Sequence, residues 1–204
     1  MNEKKWTENV IVADADYADS VAFDLTVNFE RMLERRVPQA DMAKWVECVA
    51  LDGGLRQPAA RAEGQQTVQV VLIHQQQQAS MKNFVPARYA DELDGKAFRS
   101  ELGEFVFTAV QTEAGVADKE QLLLDTLQMV CQQEDVKRLM VVVPDQLMDG
   151  VRQLLRRHDS DSRRTTVFTM QPQQGGAFRH ELLGYSLMAA LGISSAEIDR
   201  KLKN

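Results

Sequence analysis

Residues 9–17 read N-V-I-V-A-D-A-D-Y, an apolar run that ends in two acids and opens directly into a helical pattern. A run of this kind fits a buried parallel strand, because a strand covered on both faces needs no polar alternation. Its end delivers carboxylates to the edge of a sheet, where open α/β proteins place their ligands.

The rest of the chain continues that theme. From about residue 19 to 36, Val21, Leu25, Phe29 and Met32 recur at helical spacing, and Asp16 and Asp19 are placed to cap the helix. Pro38 permits a second helix with Met42, Trp45, Val46, Val49 and Ala50 on its apolar face, which Gly53 and Gly54 stop. Residues 56–66 read as a polar surface loop, 67–74 as a second buried strand, and Gln75 to Gln78 as the solvated turn that ends it. The pattern over 81–102 is weak, with a short helix near Tyr89, and residues 104–111 alternate like a third strand nearer an edge. Residues 119–133 are helical, 138–143 form a strand, 146–157 a helix and 165–170 a last strand. Strands alternating with helices predict an α/β fold: a three-layer sandwich around a mostly parallel, Rossmann-like sheet of about five strands. Gly175 and Gly176 then break the chain before a C-terminal helical hairpin. The expected organisation is one domain over 1–204, with an α/β core in 1–174 and a helical pair in 175–204.

Composition narrows the function. The chain has 204 residues, and its 30 acidic against 24 basic residues give a net charge of -6, which repels polyanions unless basic groups gather on one face. Arg152, Arg156, Arg157, Arg163 and Arg164 do cluster, either because cations suit helix C-termini or as an anion-binding patch. No apolar run approaches the roughly 20 residues of a membrane span, and the polar start M-N-E-K-K-W-T-E suggests a cytoplasmic protein. Cys48 and Cys131 lack the spacing of a disulfide framework or zinc site. Neither G-x-x-x-x-G-K-S/T nor G-x-G-x-x-G occurs where a cofactor would need it, so no nucleotide cofactor is expected. His74, His158 and His180 fall on separate elements and read as structural or exposed.

Asp14 and Asp16 fall at the carboxyl end of the first strand and Asp145 at that end of strand 138–143. If those strands are neighbours, three carboxylates converge. Hard cations such as Mg²⁺ or Mn²⁺ want oxygen ligands of this type, and would there orient a phosphodiester and activate water. The plainer alternative is helix capping, since Asp16 and Asp145 directly precede helices. The arrangement resembles the PIN-like group, in particular its NYN branch of metal-dependent ribonucleases, over the first strand-helix pair and residues 119–170. That resemblance implies RNA as substrate, with Asp14 or Asp16 as first acid, Asp118 or Asp125 as second and Asp145 as third. The turn V-V-P-D-Q-L departs from the group's pattern, with Pro144 in place of glycine and Leu147 where a further acid falls. An enzyme of this kind would be a metal-dependent phosphodiester hydrolase with Asp14, Asp125 and Asp145 catalytic and Asp14, Asp16, Asp118 and Asp145 around the metal.

Residues 187–202, L-M-A-A-L-G-I-S-S-A-E-I-D-R-K-L, resemble a bacterial helix-turn-helix. Ser194 and Glu197 form a capping box, and Arg200, Lys201 and Lys203 are offset by Glu197 and Asp199. The stretches D-A-D-Y, F-D-L-T-V-N-F-E-R-M-L and A-L-D-G-G-L-R resemble a family of bacterial proteins of unknown function found in Bacteroides-type organisms. That likeness spans most of the chain and lends no activity. Asp24, Asn28 and Arg31 share one side of the first helix, as a polar face beside the acids or a solvated stripe. Three functions are thus expected to compete: a cation-dependent site for RNA or another phosphate-bearing ligand, a non-catalytic interaction module that forms a homodimer or binds a partner, and a DNA reader built on the C-terminal helices.

Overall fold

A computed structural model describes residues 6–58, 66–113 and 118–203. Its centre is strand β1 (Asn9–Asp14), buried along its whole length and followed without a loop by helix α1 (Ala15–Leu33). A two-residue strand β2 (Ala40–Asp41) leads into α2 (Met42–Asp52), and then come β3 (Thr67–His74) and the short β4 (Phe84–Val85). A π-helical turn at Tyr89–Leu93 precedes β5 (Ala97–Ser100) and β6 (Gly103–Gln111). The second half runs α3 (Lys119–Cys131), β7 (Arg138–Val142), α4 (Met148–Arg157), β8 (Arg164–Thr169), β9 (Arg179–Leu182), α5 (Leu183–Ala190) and α6 (Ser195–Leu202).

Seven strands form one sheet in the order β5-β6-β3-β1-β7-β8-β9, and β2 pairs with β4 apart from it. Only β5 runs antiparallel in the large sheet, folding back on β6. The five strands expected from sequence are all present and parallel, and β5 and β9 extend the sheet at either end. The third expected strand, β6, lies next to the edge strand β5. Residues 175–204 are therefore more than a helical pair, because β9 joins the sheet before α5 and α6 begin. The expected loop over 56–66 falls largely outside the described residues.

Side chains on successive strand residues point to opposite faces, and two apolar clusters result. Ile11, Ala13, Met140, Val142 and Phe168 pack with residues of α1, α2 and α5, including Trp45, Val49 and Leu187. Val10, Val12, Leu139, Val141 and Val167 pack with Leu123 and Leu127 of α3 and Val151 of α4. Trp45 meets Phe84 at 5.1 Å between ring centroids, which ties the small β2-β4 ladder to the first cluster. Each such buried side chain contributes about 1.5–3 kcal/mol.

Capping departs from the expectation. Asp14, rather than Asp16 or Asp19, caps α1 by accepting the Tyr17 N–H, because the strand runs straight into the helix and leaves its last residue in the capping position. Asp16 and Asp19 instead accept backbone N–H groups from the loops after β3: Asp16 from Gln75, and Asp19 from Lys82 and Asn83. Ser194 caps α6 as expected, but the Glu197 carboxylate pairs with Arg35. Cys48 and Cys131 are free, and burial pushes both thiols up, away from the reactive thiolate.

Candidate ligand site at the carboxyl edge of the sheet

Strand β1 has β3 on one side and β7 on the other, all parallel. Sheet order reverses at β1, and such a switch point leaves a crevice outside the carboxyl ends of the two central strands. The crevice has a volume of about 600 Å³, and Asp14, Asp16, Tyr17, Asp118, Lys119 and Gln146 are among its lining residues.

Lys119 is its centre. The Lys119 ammonium donates to Asp14 Oδ1 at 2.8 Å and lies 3.3 Å from Asp16 Oδ2. Asp14 is 1% exposed. Burial pushes its carboxyl above the ordinary range, opposed by the hydrogen bond and charge of Lys119 and by the Tyr17 N–H, while Asp16 adds to the rise. Helix geometry explains the reach: Asp118 caps α3 by accepting the Gln121 N–H at 2.7 Å, so Lys119 stands in the first turn beside the sheet edge.

The other expected acids separate. Asp118 lines the crevice, as does Glu120. Asp125 is exposed on α3, accepts from Gln121 Nε2 at 2.7 Å and is not among the lining residues. Asp145 follows β7 as expected, but its carboxylate accepts the Gln171 N–H at 3.0 Å and Gln173 Nε2 at 3.3 Å, with the Tyr17 hydroxyl 3.5 Å away. Tyr17 is pushed up to about 12, by burial first and by Asp145 next. On the far side His74 and Tyr89 stack at 3.7 Å, and Tyr89 is raised by burial and then by Asp16, Asp19 and Asp14.

Among the described residues, no three of His, Cys, Asp or Glu gather closely enough to hold a metal ion. A magnesium-like ion needs fewer protein ligands, since it keeps several waters and is held by one or two carboxylates plus a substrate phosphate. Here the Lys119 ammonium stands in for such an ion, contacting Asp14 and Asp16 together. Two oxygen donors already converge on one cation, so the residues fit a hydrated hard ion that takes the ammonium's place.

Lys119, Tyr17 and Gln75 escaped the sequence reading. Lys119 did leave a signal: a cation in the first turn of a helix opposes the helix dipole and needs an acid to offset it. Helix α6 docks just past the end of α1 through Arg35–Glu197 at 2.5 Å and Lys201–Glu34 at 2.6 Å, which engages Lys201, one of the cations a DNA reader would use. In the arginine cluster, Arg152 donates to the Gln174 and Gly175 carbonyls and lies over the Phe178 ring, and Arg163 donates to those of Cys131 and His158.

Among the described residues no helix is long and apolar enough to cross a membrane. No curated protein and no solved structure matches the chain. One family model does, over residues 3–198, nearly the whole length, and the chain therefore belongs to the family of unknown function DUF6621.

Proposed function

We propose that the crevice binds a divalent cation, Mg²⁺ or Mn²⁺, and through it RNA or another phosphate-bearing ligand, on a divergent PIN-like, three-layer α/β fold. The observation that carries this reading is the shared grip of Asp14 and Asp16 on the Lys119 ammonium. Charge supports it: the lining acids Asp14, Asp16, Asp118 and Glu120 face Lys119 as the lining cation. A phosphate entering that field needs further positive charge beside it. A bound ion supplies that charge and would polarise a phosphoryl oxygen. Asp14 and Asp16 hold the ion, Asp118 takes the outer position in preference to Asp125, and Lys119 swings to the phosphate. The reading is one of binding: Asp145, engaged by Gln171 and close to Tyr17, supports the turn after β7 and leaves no free base there.

Calorimetric titration of Mn²⁺ into the full chain tests this. Uptake is expected, is lost in Asp14→Asn, and tightens in Lys119→Met, which removes the competing ammonium. No uptake by either the wild type or Lys119→Met overturns the reading. A second reading, a dimerisation or partner module, is favoured by the apolar groove of about 290 Å³ between α5 and α6, lined by Met188, Ile193, Ile198 and the 67% exposed Tyr185. Light scattering that shows a dimer, split by Tyr185→Glu, favours it.

A further inference from the structure

At the amino edge of the same sheet, arginines gather where β7 and β8 begin. Arg138 opens β7 and Arg164 opens β8, and the two are register partners on adjacent parallel strands. Side-chain alternation puts both on the face of Met140 and Phe168, the face that α2 covers. Arg138 Nη1 donates to the Gly53 carbonyl at 2.8 Å, just past the end of α2. Its Nε is buried and has no hydrogen-bond partner. Arg56 follows on the same turn and donates to the Leu51 and Leu55 carbonyls.

None of these three arginines forms a salt bridge among the described residues. The neighbouring acids are Glu181 and Asp52, and neither forms an ion pair with these arginines. Glu181 pairs with Arg179 at 2.5 Å, and the Asp52 carboxyl is pushed up by burial and by Glu181, against the pull of Arg179 and Arg56. Arg138 itself is pushed down, by burial first and then by the charges of Arg164 and Arg56, so like charges bear on one another here. The D-G-G-L-R turn keeps the corner open. Gly54 has φ +86°, and a side chain there would begin 2.9 Å from Arg138 Nη1.

We propose that Arg56, Arg138 and Arg164 form an anion site for a phosphate-class oxyanion, at the edge of the sheet opposite the acidic crevice. Guanidinium forks match tetrahedral oxyanions through paired N–H donors. Such a ligand supplies further negative charge among three cations and acceptors for guanidinium donors beyond the carbonyls already engaged. A tetrahedral oxyanion spreads more acceptor oxygens in three dimensions than the two coplanar ones of a carboxylate. The site needs no metal and stands whether or not the crevice binds one.

The test is calorimetric titration of inorganic phosphate into the full chain in the presence of a chelator, which silences any metal-dependent site. Binding in the millimolar range or tighter is expected. Arg164→Gln and Arg56→Gln, both at exposed positions, should each weaken it about tenfold, while Asp14→Asn leaves it unchanged. A parallel arm uses a single-stranded RNA oligonucleotide in chelator. RNA binding that falls with salt, with the slope reduced by about one in Arg164→Gln, assigns the phosphate to nucleic acid. Phosphate binding without RNA binding assigns it to a free anion. No phosphate binding at millimolar concentration, or affinity unchanged in both arginine variants, overturns the proposal.

Discussion

The two ends of the parallel sheet satisfy their backbone with side chains of opposite charge, and the difference follows from backbone polarity. At the carboxyl end, strands give way to helix N-termini and to loops whose N–H groups lack partners. Asp14, Asp16, Asp19, Asp118 and Asp145 all accept such N–H groups. At the amino end, chain arrives from helix C-termini with spare carbonyls, and Arg56, Arg138 and Arg163 donate to them. Charge type at each edge is thus set by what the backbone leaves unpaired. Two features go beyond that trend and point to function: Lys119 among acids at one end, and Arg138 beside Arg164 and Arg56 at the other.

The comparison can be broken by substitutions at either edge. The largest effect is expected at Gly53, where an added Cβ would begin 2.4 Å from Met140 Cγ and 3.1 Å from the Val49 carbonyl. Gly53→Ala should lower stability by about 3 kcal/mol through overpacking at the Arg138 anchor, read by chemical denaturation, with Mn²⁺ uptake at the far edge intact. At the acidic edge Asp19→Ala removes the acceptor of the Lys82 and Asn83 N–H groups and should cost about 2 kcal/mol. A cost near zero would mean that water replaces these carboxylates freely and that the acidic edge contributes no structure.

A smaller effect sharpens the contrast through pH. Tyr17 titrates near 10 when unfolded and about 12 when folded, so its neutral form is favoured by the fold. The stability this provides is complete below pH 10 and is lost as pH rises toward 12. Denaturation midpoints across that window, with ultraviolet absorbance to follow phenolate formation, check it; in Tyr17→Phe this component of the loss disappears. The smallest effect concerns Asp14, whose carboxyl is also raised in the fold. Stability from a raised carboxyl is present at low pH and lost as pH climbs through its folded value. Asn at this position keeps the cap to Tyr17 without the buried charge, so Asp14→Asn should gain up to about 1 kcal/mol at neutral pH while Mn²⁺ uptake is lost. A clear loss of stability would instead make the Asp14–Lys119 pair a structural bond.

The parallel strands were legible because burial on both faces demands continuous β-branched and apolar residues, and V-I-V-A, V-Q-V-V-L-I and L-M-V-V-V carry that mark. β5 and β9 read A-F-R-S and R-H-E-L, half-exposed and too short to show any period, so nothing local distinguished them from loop. In the site, Asp14 and Asp16 were visible as acids that follow a strand. Their partner was not, since Lys119 lies 105 residues from Asp14 in sequence and only the α3 crossover brings it near. The cap moved two positions, from Asp16 to Asp14, because the helix starts directly at the end of the strand. Asp145 was placed correctly at the end of its strand, but the Gln171 N–H that engages it comes from the loop after β8, beyond the reach of any local pattern.

The terminal strands of the sheet have one more consequence. Open edges invite another chain to add itself, and a row of free N–H and C=O groups on a long, flat, greasy strand is a template for fibrils. Here both outermost strands are four residues long and carry Arg99, Arg179 and Glu181, so an incoming strand would find little ladder to grasp and charge to desolvate. The V-Q-V-V-L-I segment of β3, an aggregation-prone stretch by composition, is shut between β6 and β1. The chain thus guards its apolar strands by burying them mid-sheet and leaving short, ionic margins to solvent.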